Sequence, residues 1–142
     1  MEKLRIRILV VEDFELARRF ITTALAKEPK FAVVGEVSDG LTAVVRAEEL
    51  QPDLVLLDIG LPSLNGIEAA KRIRKVAPGA KILFVSQQSS PDLVQAALAV
   101  GGSGYVLKSD AGNDLLNAIH AVLQGETFLS RALRGKTLLL CI

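Results

Sequence analysis

Leu54-Val55-Leu56-Leu57 is the segment that most limits what this chain can fold into. It is apolar at every position, with Pro52-Asp53 before it and Asp58 after it. A strand with one face in water alternates polar and apolar residues, so an unbroken apolar run this short predicts a strand covered on both faces. Ile8-Leu9-Val10-Val11, following the alternating Leu4-Arg5-Ile6-Arg7, has the same character, as do Lys81 to Val85 and Tyr105-Val106-Leu107. Phe31 to Val37 is β-branched and strand-like. Helical spacing fills the gaps: Ala17, Phe20, Ile21, Ala24 and Leu25 form one predicted face. Leu41, Val44, Val45 and Leu50 form another, after an Asp39-Gly40 turn. Asn65 is placed to cap a third helix carrying Ile67, Ala70, Ile73 and Val76, which Pro78-Gly79 closes. Ser90-Pro91-Asp92 opens a fourth, and Leu115, Leu116, Ile119, Val122 and Leu123 stripe a fifth that ends at Gly125. Five strands alternating with five helices predict a doubly wound α/β domain, (βα)5, with a five-stranded parallel sheet over residues 1–125.

Composition narrows the partners. The chain has 142 residues, enough for one core, and its 17 Lys and Arg against 16 Asp and Glu give no concentrated basic face for nucleic acid. The uncharged stretch from Leu93 to Leu107 is broken by Gln95, Gly101, Gly102, Ser103 and Gly104, so no membrane span is expected. Arg5 and Arg7 interrupt what a signal-peptide core would need, and the single Cys141 allows no internal disulfide or cysteine-based zinc site. A cytoplasmic protein is the expectation. Residues 126–142 are expected to be a C-terminal tail or the start of a linker to an absent output domain. Phe128, Leu129, Leu133 and Leu138-Leu139-Leu140-Cys141-Ile142 are too apolar for a solvated linker. They predict a short helix folded back on the domain or an interface.

In such sheets ligands sit outside the carboxyl ends of the strands. The residues predicted there are Glu12 and Asp13 after strand one, Asp58 after strand three, Ser86 after strand four and Lys108 after strand five. Singly, each has a plain structural reading: an acidic helix start, a turn residue, a loop hydroxyl, a solvated charge. Together, three carboxylates call for a counter-charge, and a hard divalent cation such as Mg²⁺ suits an all-oxygen donor set. An Asp carboxylate is also a nucleophile towards phosphorus, with an ammonium and a hydroxyl to stabilise the transferring group. Competing sites fit less well. Glu12 and Asp13 would repel a flavin phosphate, and a P-loop ending at Gly135-Lys136-Thr137 would need glycine where Ser130 stands. Ser86 lacks the GxSxG of a nucleophile elbow, and His120 near the stripe of helix five reads as a surface or partly buried histidine.

The segments ILVVEDFE, LVLLDIGLPSLNGIEAAKRIR, ILFVSQQ and GGSGYVLKSD resemble, in order, the response-regulator receiver domain of two-component signalling. LPSLNGIEAAKRIR, GSGYVLK and the following GETFLS are most similar to the NarL/FixJ-type receivers. The resemblance implies a flavodoxin-like sheet with strand order 2-1-3-4-5. It implies Asp58 as phosphoacceptor, Mg²⁺ held by Glu12, Asp13, Asp58 and the backbone carbonyl of Gly60, and Ser86 and Lys108 at the phosphoryl group. Tyr105 is implied as the switch aromatic that moves with Ser86. A sensor histidine kinase is the implied donor, and the implied output is dimerisation or transcription regulation. DNA is then reached only through an output domain, and the receiver is not an enzyme beyond catalysing its own Asp phosphorylation and dephosphorylation. The acidic pair here is Glu-Asp rather than Asp-Asp, and Leu61 stands where the family often has Met. A docking module of the same fold that does not use phosphorylation is the alternative.

Overall fold

The computed structural model describes residues 5–134. Strands β1 (Ile6–Val11), β2 (Phe31–Val37), β3 (Leu54–Leu57), β4 (Lys81–Ser86) and β5 (Gly104–Leu107) alternate with helices α1 (Glu15–Ala26), α2 (Gly40–Leu50), α3 (Gly66–Val76), α4 (Pro91–Ala99) and α5 (Ala111–Leu123). The doubly wound α/β fold is present, with one correction. The sheet has six strands in the order β2-β1-β3-β4-β5-β6, all adjacent pairs parallel, because Phe128–Leu129 add a strand, β6, at the β5 edge. A two-residue strand is too short to leave a periodicity, which is why the sequence predicts five.

Two apolar layers explain the unbroken runs. Leu9, Val11, Val55 and Leu57 face α2, α3 and α4, packing with Ala43, Ala47, Ala69, Ala70, Ile73, Val94 and Ala97. Ile8, Val10, Leu54 and Leu56 face α1 and α5, packing with Ile21, Leu25, Leu115, Ala118 and Ile119. Successive strand residues thus enter opposite cores, so no position is free to be polar. Phe20 departs from the predicted core face of α1. It is 47% exposed, and Ile21 and Leu25 carry the burial.

Local signals set the entry angles. Asn65 caps α3 as predicted, its Oδ1 accepting from the Glu68 N–H at 3.0 Å. Asp39, expected in a turn, instead caps α2, accepting from the Thr42 N–H at 2.8 Å. Along β2, Val33 and Gly35 pair with the consecutive β1 residues Ile8 and Leu9, leaving Val34 as an extra bulge residue. The chain beyond Gly125 stays against the domain: Ser130 is fully buried, Leu133 is buried in the α2–α4 layer, and residues 131–134 form a helical turn. Leu138 to Ile142 lie outside the described residues.

The turn that carries Asp58 depends on a close backbone approach. The Gly66 N–H donates to the Ile59 carbonyl at 2.7 Å, and a Cβ on Gly66 would stand 2.0 Å from the Asp58 carbonyl oxygen. That obstacle is backbone, which cannot swing aside as a flexible side chain does. Gly66→Ala is expected to cost about 3 kcal/mol of stability, at the upper end for overpacking. Urea denaturation measures this, and a loss below about 1 kcal/mol would mean that the turn yields.

Candidate functional site

Each strand end delivers one polar group to the same rim. Glu12 follows β1 directly and is 1% exposed, while its neighbour Asp13 is exposed. Asp58 follows β3 and is 7% exposed; Ser86 ends β4 and is fully buried. Lys108 opens a short 3₁₀ turn, Lys108–Asp110, after β5. The Lys108 ammonium lies 2.9 Å from Glu12 Oε1 and 3.0 Å from Asp58 Oδ2, bridging the ends of β1 and β3. Glu12, Asp58 and Lys108 are therefore in direct contact. Asp13, Phe14, Asp58, Gly60, Ser86, Gln88 and Lys108 line a cleft of about 350 Å³ above them.

The remaining bonds aim these groups. Asp58 Oδ1 accepts from the Ile59 N–H at 2.7 Å, and Glu12 Oε2 accepts from the Phe14 N–H at 3.1 Å. Arg18 donates to the Glu12 carbonyl at 2.8 Å and fixes the backbone there. Burial pushes the Glu12 carboxyl up from its ordinary range, only partly offset by Lys108. Burial alone would lower the Lys108 ammonium, but the adjoining Glu12 and Asp58 carboxylates outweigh it and hold the proton more tightly than in water.

Tyr105 lies wholly inside the domain rather than on the rim. Its ring stacks on Phe84 at 6.1 Å, and its hydroxyl donates to the Gln88 carbonyl at 2.7 Å. The Gln88 N–H in turn donates to Ser86 Oγ at 3.1 Å. One loop residue thus ties the buried tyrosine to the cleft hydroxyl. Sequence reasoning missed Gln88 in that part, because both bonds use its backbone and leave no mark on residue type. His120 is exposed on α5, its ring 5.7 Å from that of Phe31 and remote from the cleft.

A small divalent cation fits the donor set. Carboxylate oxygens of Glu12, Asp13 and Asp58 all lie within 4.8 Å of one another. Glu12 Oε1 is buried and has Lys108 beside it as an ion pair, but no aligned hydrogen bond. Its remaining lone pairs are unused. Gly60 leaves the cleft open, since a Cβ there would meet nothing within 4 Å. Three carboxylates against one ammonium leave an excess of negative charge. All donors are hard oxygens, and exposed Asp13 leaves a side for retained waters, as Mg²⁺ prefers.

Comparison with known proteins places this geometry in context. Residues 8–120 match the family model described as the response regulator receiver domain. The transcriptional regulatory protein DegU of Brevibacillus brevis is 35% identical over 125 residues, covering 88% of this chain and 53% of that protein. The nitrate/nitrite response regulator protein NarL of Escherichia coli K12 is 36% identical over 126 residues, covering 89% of this chain and 58% of that protein. The chain thus spans a little over half the length of these relatives. Among solved structures, a LuxR-family two-component response regulator from Aurantimonas superposes with a TM-score of 0.89 at 32% identity, covering 94% of this chain and 95% of that one.

Proposed function

The chain belongs to the response regulator receiver domain family, and from that premise we propose that Asp58 accepts a phosphoryl group from a sensor histidine kinase. The observation that carries this reading is the Lys108 ammonium set 3.0 Å from Asp58 Oδ2 at the floor of an open acidic cleft. A carboxylate oxygen of Asp58 attacks phosphorus as the phosphorus–nitrogen bond of the donor phosphohistidine breaks. The bonding pair leaves on the imidazole nitrogen, and an acyl phosphate remains on Asp58. Lys108 neutralises charge on the transferring group, and the Ser86 hydroxyl, which lines the same cleft, is the neutral donor. Mg²⁺ held by Glu12, Asp13, Asp58 and the Gly60 carbonyl would supply the positive charge that lets an anionic phosphoryl group approach.

The switch follows from the new charge. A phosphoryl group on Asp58 draws Ser86 and Lys108 towards it. Ser86 bonds to the Gln88 backbone that also holds Tyr105, so the tyrosine and the surface of α4 and β5 respond with it. That surface would control dimerisation or output. In this reading residues 1–125 are the receiver, β6 and Leu133 of the segment 126–142 pack onto it, and that segment leads towards an output domain through which a cytoplasmic full-length protein regulates transcription. No helix among the described residues is long and apolar enough to cross a membrane.

Intact-mass measurement after incubation with acetyl phosphate tests the chemistry. One added phosphoryl group is expected with Mg²⁺, and none in a chelator. Folded protein that gains no mass with Mg²⁺ present would overturn phosphoryl acceptance and leave a docking module of the same fold.

A further inference from the structure

We propose that Ser130 is a positioning residue for this site: its buried hydroxyl supplies the last rung of the sheet beside β5 and so holds Lys108 at Asp58 and Glu12. The inference rests on the function proposed above and adds a residue from the segment after α5.

β5 and β6 pair in parallel, Gly104 with Phe128 and Tyr105 with Leu129. The ladder runs upward through the Phe128 N–H to the Ser103 carbonyl at 3.2 Å and the Ser130 N–H to the Tyr105 carbonyl at 3.0 Å. In a parallel ladder the next rung would join the Leu107 N–H to the Ser130 carbonyl. That carbonyl instead accepts from the Leu133 N–H at 2.9 Å, where the chain turns into residues 131–134. The Ser130 hydroxyl takes its place, 2.9 Å from the Leu107 nitrogen. Ser130 is 0% exposed, so no bulk water can stand in for it.

Leu107 is the last residue of β5 held on both sides, by Ser130 on one and by its pairing with Ser86 on the other. Lys108 follows at once and leaves the sheet in the 3₁₀ turn. Its ammonium must reach two carboxylates at 2.9 and 3.0 Å, and its backbone anchor is the Leu107 peptide. Without the hydroxyl the Leu107 N–H is left buried with no acceptor, and that anchor drifts. Reaction centres lose rate steeply when a group moves by even a fraction of an ångström to an ångström.

The test compares Ser130→Ala with Leu133→Ala, which loosens the same segment but keeps the hydroxyl. In the unphosphorylated wild type, the Lys108 ammonium is expected to give a slowly exchanging NMR signal and the Leu107 amide to be protected. Ser130→Ala is expected to lose that signal, to exchange Leu107 at least tenfold faster, and to take phosphoryl from acetyl phosphate about tenfold more slowly. Leu133→Ala is expected to keep all three at wild-type values despite a lower unfolding midpoint. The proposal falls if Ser130→Ala keeps the Lys108 signal and the uptake rate, or if Leu133→Ala reproduces its losses. A wild type that takes up no phosphoryl group would remove the proposed function, not the positioning role. The Lys108 signal and the Leu107 amide would then decide that role by themselves.

Discussion

Asp58→Asn is expected to carry no phosphoryl group at any concentration of acetyl phosphate, with Mg²⁺ present and the fold intact. The amide cannot form the acyl phosphate, because its oxygen lacks the carboxylate's charge and nucleophilicity. The substitution is nearly isosteric. The side-chain oxygen still accepts from the Ile59 N–H, and Lys108 still has Glu12 at 2.9 Å. Removing one of three clustered carboxylates also relieves like-charge repulsion, so folding stability should hold or rise in a chelator. Intact mass and urea denaturation read the two effects separately. A phosphoryl group found on the Asn variant would move the acceptor to another residue.

Lys108→Ala should fail in two ways at once. Loss of the only ammonium contacting Asp58 Oδ2 among the described residues is expected to slow phosphoryl uptake by about 10²–10³-fold, the usual cost of deleting one charge-stabilising donor. The same change leaves Glu12, whose side chain is 1% exposed, without its counter-charge. Breaking a buried pair from one side typically costs about 3–5 kcal/mol. The Lys108 side chain is 23% exposed, so water reaches the gap and about 2–3 kcal/mol is the expected loss in a chelator. Mg²⁺ should restore part of that stability, since a cation at the carboxylates replaces the missing charge. Denaturation with and without Mg²⁺ decides the matter. A variant as stable as the wild type in a chelator would show that the ion pair contributes nothing to folding.

The legible parts of this molecule are those in which residue type and geometry are tied by a period. Leu54 to Leu57 could be read as a doubly covered strand because its two faces meet two apolar layers. Once the strands were placed, the rim residues followed, since Glu12, Asp58 and Lys108 each stand one position beyond an apolar run. Asn65 was legible because an N-cap has a short list of side chains. The same chemistry misled at Asp39, where a turn and a cap use the same residue. Phe20 fits the helical stripe of α1, but its position at the edge of the buried arc leaves it half in water. The sixth strand and the linkage through Gln88 are illegible in the sequence for another reason. Both are made by backbone groups, and Ser130 acquires its part where the chain turns its carbonyl to the Leu133 N–H and leaves its hydroxyl at Leu107.

The bulge at Val34 has a consequence for the molecule's behaviour in a crowded solution. β2 is the outer strand on its side of the sheet, and Phe31-Ala32-Val33-Val34 is the kind of β-branched, uncharged segment that templates pairing between separate chains. An uninterrupted edge of that composition invites fibrillar or edge-to-edge growth. The extra residue at Val34 breaks the even spacing of its N–H and C=O groups and sharpens the local twist, and Gly35 and the charged Glu36 follow immediately. The opposite margin, β6, is only two residues long before the chain turns away. Both rims of the sheet are thus poor templates, one by irregularity and the other by brevity, which disfavours strand-to-strand pairing between separate chains.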